Sequence, residues 1–241
     1  MIKIENVVTP SPEQWKAVIR GMRNPKNSWL RSDSHFDCSE VYEYCDECPN
    51  CSEDGPVVHC GLDDTNEQFM VIGPNDHDLM MRLVKGGPVH AKFRRMLPVI
   101  VDITAPTFIW AEIDTYKVGT VRNSCSFMHK GTAKPFTLED FSSVITSEED
   151  LQVWQKVVEQ LNKLRDKYLE TKDETVFEAI RCLLPSGYMQ RSTLSLNYET
   201  LANMYHWRKD HRLQDWHTFC DWIKTLPYSE IITGEEVPSN G

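Results

Sequence analysis

Leu151, Trp154, Val157, Leu161, Leu164 and Tyr168 recur at three- and four-residue steps, behind Ser147 and the acidic turn Glu148-Glu149-Asp150. That spacing predicts a long helix with one apolar stripe, and such a helix needs a covering surface. The stripe is core or an oligomer interface rather than a cofactor contact. A second apolar surface is offered by "PVIVDIT", where Val99, Val101 and Ile103 alternate with Ile100, Asp102 and Thr104, as on a strand with one buried face. Helix and sheet together predict an α+β fold, an antiparallel-type sheet flanked by helices.

Other elements are readable in the same way. The start "MIKIENVV" is strand-like. In "SPEQWKAVIRGMR", Ser11 is the expected cap, Pro12 takes the first helical position, and Trp15, Val18 and Met22 share a face. Asn75 is the expected cap for "DHDLMMRLV", which Gly86-Gly87 interrupt before a second helical piece, "VHAKFRRML". "ETVFEAIRCLL" predicts a helix, "YMQRSTLSL" an extended passage, and "YETLANMYHWRKDH" another helix. With no internal repeat and no low-complexity linker, residues 1–241 are expected to form a single domain. It would be interrupted at about 33–70 by an acidic, Cys-rich insertion.

Charge and hydropathy narrow the function classes. Thirty-six Asp and Glu against 26 Lys and Arg give a net charge of -10, which opposes a role in neutralising a nucleic-acid polymer. A few arginines can still make a local pocket for a small anion. No apolar run approaches a membrane span, and the start carries no basic-then-apolar leader pattern, so a cytoplasmic location is expected and no membrane partner. In that setting the 8 cysteines are thiols or metal ligands rather than disulfides. Cys125, Cys182 and Cys220 are expected to be small core hydrophobes.

The insertion contains "CSEVYEYCDECPNCSEDGPVVHC". Cys45, Cys48 and Cys51 repeat every three residues, close enough for a turn to aim several thiolates at one ion, with Cys60 the expected fourth among more than four available ligands. Cys38, His35 and His59 stand beside them. Four soft ligands suit a structural zinc ion, with an iron–sulfur cluster as the competitor.

Arg181 ends an amphipathic helix just before "LLP". A cation there complements the helix dipole, and on that ground alone it is a surface residue. Asn197 and Arg208 are separated by three helical turns, so in a continuous helix they differ by about 20° in direction and about 16 Å along the axis. Asn203 is turned away from both.

The order of these features is more specific than any one of them. "RCLLP", a polar extended run ending at Asn197, and "NYETLANMYHWR" resemble the C-terminal half of the flavin-dependent thymidylate synthases. Upstream, "APTFIWAEIDTYKVGTVRNSCSFMH" is similar to that family's central segment, and "LMMRLVKGGPVHAKF" to the helix before it. The similarity spans roughly residues 74 to 230. It implies that Arg181 and Arg208 contact a pyrimidine nucleotide, with Arg208 near the ring as the catalytic cation, and that Ser124 and Ser126 lie around the nucleotide phosphate. Asn197, Asn203, Lys117, Thr120 and His90 would hold flavin adenine dinucleotide (FAD). The implied reaction is methylation of dUMP with reduced flavin and methylene-tetrahydrofolate, NADPH being the reductant, in a homotetramer whose sites are shared between subunits. The chain departs from the family at one motif: R-H-R-x-x-S is replaced by Thr115, Tyr116, Lys117, Val118, Gly119 and Thr120, leaving one cation, and Phe127 stands where an arginine is expected. Arg122 is the nearest substitute. Those losses point to the alternative, a nucleotide-binding homologue without the reaction.

Overall fold

The structure, a computed structural model, describes residues 1–38, 68–142 and 145–235. In chain order the elements are β1 (Lys3–Val8), α1 (Pro12–Arg23), β2 (His35–Cys38), β3 (Gln68–Val71), α2 (Pro74–Lys85), β4 (Pro98–Pro106), α3 (Thr107–Ile113), β5 (Val121–Ser124) and α4 (Phe127–Lys130). There follow α5 (Glu148–Thr171), α6 (Glu174–Leu183), β6 (Met189–Asn197), α7 (Tyr198–Arg208), α8 (Gln214–Lys224) and α9 (Glu230–Thr233). The fold is α+β, as the alternation of patterns predicts. The chain divides into two compact units, one made of Met1–Val8, Ile100–Leu196 and Met204–Ile223, the other of Thr9–Val99, Asn197–Asn203 and Lys224–Gly241.

The first unit is built on a four-stranded sheet of order β1-β4-β6-β5, with β1-β4 and β5-β6 antiparallel. Val101, Ile103 and Ala105 of β4 are fully buried while Ile100 on the other face is exposed, so the period-two pattern sets which face is core. On the outer face Asp102 ties three strands together. Its carboxylate accepts from Thr193 at 2.5 Å, Asn6 at 2.8 Å and Arg191 at 2.8 Å, and the Thr193 contact above all holds its pKa far below the ordinary value.

The long stripe of α5 is used inside this unit. Ser147 caps the helix by accepting from the Asp150 N–H at 3.1 Å. Leu161 is fully buried, and Trp154, Val157, Leu164 and Tyr168 pack on a cluster of Phe127, Phe136, Phe141, Phe177 and Ile180. Between core and oligomer interface, the structure shows the core use of this face.

In the second unit Ser11 and Gln14 form a capping box at the start of α1, with Pro12 in the first turn as expected. Trp15 lies edge-on to Tyr198 at 5.7 Å and to Tyr228 at 5.3 Å. Both phenols find partners: the buried Tyr198 donates to the Pro227 carbonyl and the half-buried Tyr228 to the Met70 carbonyl, each at 2.7 Å. Arg94, also buried, spans Glu199 and the Ile231 carbonyl. "VHAKFRRML" is less helical than expected, with a single 3₁₀ stretch at Lys92–Met96.

The start of α2 differs from expectation. Gly73 is the cap residue and Pro74 the first helical one, so Asn75 already lies inside the helix. The reason is tertiary. The Asp33 carboxylate accepts from the Asn75 and Asp76 N–H groups at 2.9 and 3.1 Å, doing from a distant part of the chain what a local cap would do. A side chain at position 73 would collide with Asp33, since a Cβ there would sit 2.3 Å from its carboxylate carbon.

β2 and β3 pair antiparallel, Cys38 opposite Gln68. Cys45, Cys48, Cys51 and Cys60 lie outside the described residues, so the zinc expectation falls on a segment about which the structure is silent. Of the remaining cysteines Cys220 is buried as expected, whereas Cys125 and Cys182 are exposed and are not core residues.

Candidate functional site

Arg208 is the best-defined of the expected site residues. It ends α7, and its guanidinium is clamped: Nε donates to the Tyr116 hydroxyl at 3.0 Å, and Nη1 pairs with Glu112 Oε2 at 2.9 Å. It also lies over the rings of Trp216 at 4.7 Å and Tyr116 at 5.6 Å. The same Glu112 oxygen accepts from the Trp216 indole N–H at 2.9 Å and is 3.7 Å from His211 Nε2. The result is a cation fixed in position, 19% exposed, with its charge largely answered by a carboxylate. Glu112, Tyr116 and Trp216 are the residues that sequence reasoning missed in this role. Tyr116 occupies the altered central motif, and no local pattern links it to Arg208.

Arg181 is different. It is exposed at the end of α6, makes no ion pair among the described residues, and its guanidinium carbon is 4.9 Å from the centre of the Phe127 ring. The aromatic cluster that holds Phe127 thereby holds Arg181. Phe127 directly follows Ser126, so the structure brings Arg181 beside the segment that carries Ser124 and Ser126. Both serines are exposed, Ser124 at the end of the edge strand β5, and neither hydroxyl has a partner among the described residues.

Arg122 braces this segment. It stacks on Trp110 at 3.9 Å and gives hydrogen bonds to Ser192, Asp114 and Gln190 at 2.9, 2.7 and 2.7 Å. Gln190 in turn donates to the Cys125 carbonyl at 2.8 Å, between the two serines. With its donors engaged in this way, Arg122 shapes the loop instead of supplying the missing free cation.

Of the residues expected to hold flavin, Lys117 and Thr120 lie in the first unit. Lys117 is exposed, and the Thr120 hydroxyl oxygen is buried without a hydrogen-bond partner among the described residues. That orphaned donor suits an absent polar ligand, because a buried unpaired hydroxyl is otherwise costly. In the second unit, Asn197 uses its side-chain oxygen to accept from the Thr200 N–H at 2.9 Å and hydroxyl at 3.1 Å, which makes it the cap of α7. Its amide N–H₂ is the part left for a ligand. Asn203 and His90 are exposed.

No protein-family model matches the sequence, and no curated protein matches it by sequence. Solved structures do match by shape. Thymidylate synthase X from Helicobacter pylori, with FAD and dUMP, aligns over 98% of this chain and 97% of its own, at a TM-score of 0.59 and 15% identity. A second structure of the flavin-dependent thymidylate synthase from the same organism, complexed with FAD and dUMP, aligns over 97% of each chain at 0.58 and 15%. At that identity the likeness is one of fold, and the fold this chain shares is that of the flavin-dependent thymidylate synthases.

Proposed function

We propose that the chain binds a pyrimidine deoxynucleoside monophosphate, dUMP in the simplest case, and takes part in flavin-dependent one-carbon transfer to it. The observation that carries this is an exposed Arg181, held over Phe127, beside a braced loop with the hydroxyls of Ser124 and Ser126, none of the three having a polar partner among the described residues. A phosphate needs a cation and several hydrogen-bond donors held in place, and that set supplies both. Arg208 would stabilise charge developing on the pyrimidine ring. Because Tyr116, Glu112 and Trp216 already fix it, it could act without reorganising.

FAD is the proposed cofactor, and when bound in reduced form it would supply hydride. Thr120 would give its orphaned hydroxyl to a polar group of the flavin and Lys117 would place one positive charge near it. Asn197 would offer its amide N–H₂, and Asn203 and His90 their exposed polar groups. NADPH and methylene-tetrahydrofolate are the proposed co-substrates. A zinc ion on Cys45, Cys48, Cys51 and Cys60, a homotetrameric state and a cytoplasmic location complete the proposal.

One observation favours a second function, nucleotide binding without turnover. Lys117 cannot reproduce the two planar guanidinium groups of the family's central motif, and Glu112 offsets the charge of Arg208. Calorimetric titration with dUMP, with and without FAD, tests both. Binding that Arg181→Ala weakens by about 2 kcal/mol supports the nucleotide site. Turnover lost in Arg208→Ala with binding retained supports catalysis, and absence of turnover in the wild type supports the binding module. A wild-type chain that binds no pyrimidine nucleotide overturns both.

A further inference from the structure

The second unit contains a cavity of about 580 Å³ between the end of α1, the turn that follows it, and one side of α2. Among the described residues four cations line it, Arg23, Lys26, Arg31 and Arg82, against the Asp78 carboxylate at the wall and the Asp76 carboxylate paired with Arg23 behind it. In a chain whose net charge is -10, such a local excess of positive charge runs against composition. We propose that this cavity binds a small molecule through a diphosphate or an equivalent pair of phosphate groups.

The site is built around Arg23. This side chain is only 4% exposed, its Nε is 2.5 Å from Asp76, and its Nη1 donates to the Ser28 carbonyl and hydroxyl at 3.2 and 3.3 Å. Asp76 is fully buried and shares its charge among several donors, including the hydroxyls of Ser32 and Ser34, each at 2.7 Å. Burial acts to raise its pKa, but the hydrogen bonds from Ser32, Ser34 and Arg23 outweigh that and keep it ionised. The guanidinium is thus held rigidly from behind.

Around it the other cations are available. Lys26 and Arg31 are exposed and form no ion pair among the described residues, and the Arg82–Asp78 pair is a solvent-exposed i,i+4 contact that a stronger anion can displace. Helix dipoles account for Arg23 and Arg82, each in the last turn of an α-helix, whereas Lys26 and Arg31 end three-residue 3₁₀ stretches too short to carry much dipole.

Size and lining define the ligand further. Small-molecule pockets occupy roughly 300–1,000 Å³, so this cavity accepts a body larger than a lone phosphate. No aromatic side chain among the described residues lines it, and of those residues Leu30 and Leu79 are the apolar ones. A nucleobase would find no stacking platform here. Recognition therefore falls on the phosphates, and the attached group is read weakly. The site uses none of the residues proposed to hold pyrimidine or flavin.

Titration of the full chain with inorganic pyrophosphate, ADP and UDP at about 0.1 M salt tests this. All three should bind, with ADP and UDP within about threefold of each other in Arg181→Ala protein, and Lys26→Ala/Arg31→Ala should weaken pyrophosphate by about tenfold or more. That double variant should melt like the wild type, because neither side chain has a structural partner among the described residues, and should bind dUMP unchanged. Arg181→Ala should leave pyrophosphate binding intact, which separates failure here from failure of the proposed nucleotide site. The proposal is overturned if none of the three ligands binds at millimolar concentration, if the double variant binds pyrophosphate as the wild type does, or if Arg181→Ala protein, in which the proposed pyrimidine site is weakened, sharply discriminates ADP from UDP.

Discussion

Replacing Glu112 by alanine removes one carboxylate oxygen that serves three neighbours. Trp216 is 1% exposed, and without Glu112 its indole N–H loses its acceptor in a dry environment, at a cost of about 1–3 kcal/mol. Arg208 and Glu112 are 19% and 30% exposed, so their ion pair is partly screened and contributes no more than about 1 kcal/mol on its own. Together the loss should be about 2–3 kcal/mol. At a urea m-value of about 2 kcal/mol/M the midpoint should fall by roughly 1 M. Glu112→Gln keeps a neutral acceptor for Trp216 and should cost about half as much. It also leaves Arg208 with uncompensated charge, so dUMP, if it meets Arg208, should bind the glutamine variant more tightly. Urea unfolding followed by tryptophan fluorescence measures the stability terms. An alanine variant within about 0.5 kcal/mol of wild type, or a glutamine variant as damaged as the alanine one, would refute the claim that this carboxylate organises the cluster.

Three further outcomes are expected. Asp76→Ala should destabilise the protein by about 3–5 kcal/mol, because Arg23 would be left buried without a counter-charge. Since the folded-state pKa of Asp76 lies below its ordinary 3.8, its contribution is present above that pH and is lost as pH falls through the lower folded value, so the difference from wild type should shrink in acid. Metal analysis of protein purified without added metal should find about one zinc per chain, and less than about a tenth of an equivalent would exclude a zinc site at the cysteines. Light scattering should give a mass about four times the 28.0 kDa chain, and a monomer at every concentration would exclude sites shared between subunits.

What could be read from the sequence was local. The Ser11-Pro12 start of α1, the alternation in β4 and the stripe of α5 each depend on residues within a few positions of one another, and each was found where the spacing put it. The start of α2 was misplaced at Asn75 because its capping carboxylate, Asp33, comes from far along the chain. The same limit applies at the candidate site. Arg208 and Tyr116 were visible as residues, but the clamp exists only after α3, α7 and α8 are assembled in space. Asn197 was expected at a ligand, and its side-chain oxygen proves to be engaged with its own helix, since an asparagine just before a helical run satisfies the backbone first. The exposure of Cys125 and Cys182 shows why residue type alone is a weak guide to burial.

The contacts around Asp33 also bear on how such a chain can change over generations. Asp33 and Ser34 stand just before β2, Gly73 and Asp76 just after β3, and the two sides are joined by the Asp33 contacts, by the Gly73 N–H to Ser34 hydroxyl bond at 3.0 Å and by the ribbon itself. These contacts close a neck within the second unit, so changing the length of chain between Cys38 and Gln68 alters only a slowly growing loop-closure entropy. Cys38 faces Gln68 across that neck, close enough for a two-residue turn to join them. A chain shortened in this way should keep the melting of its second unit, and the neck would then be a point at which segments of unrelated origin can be exchanged without disturbing the helix that begins beside it.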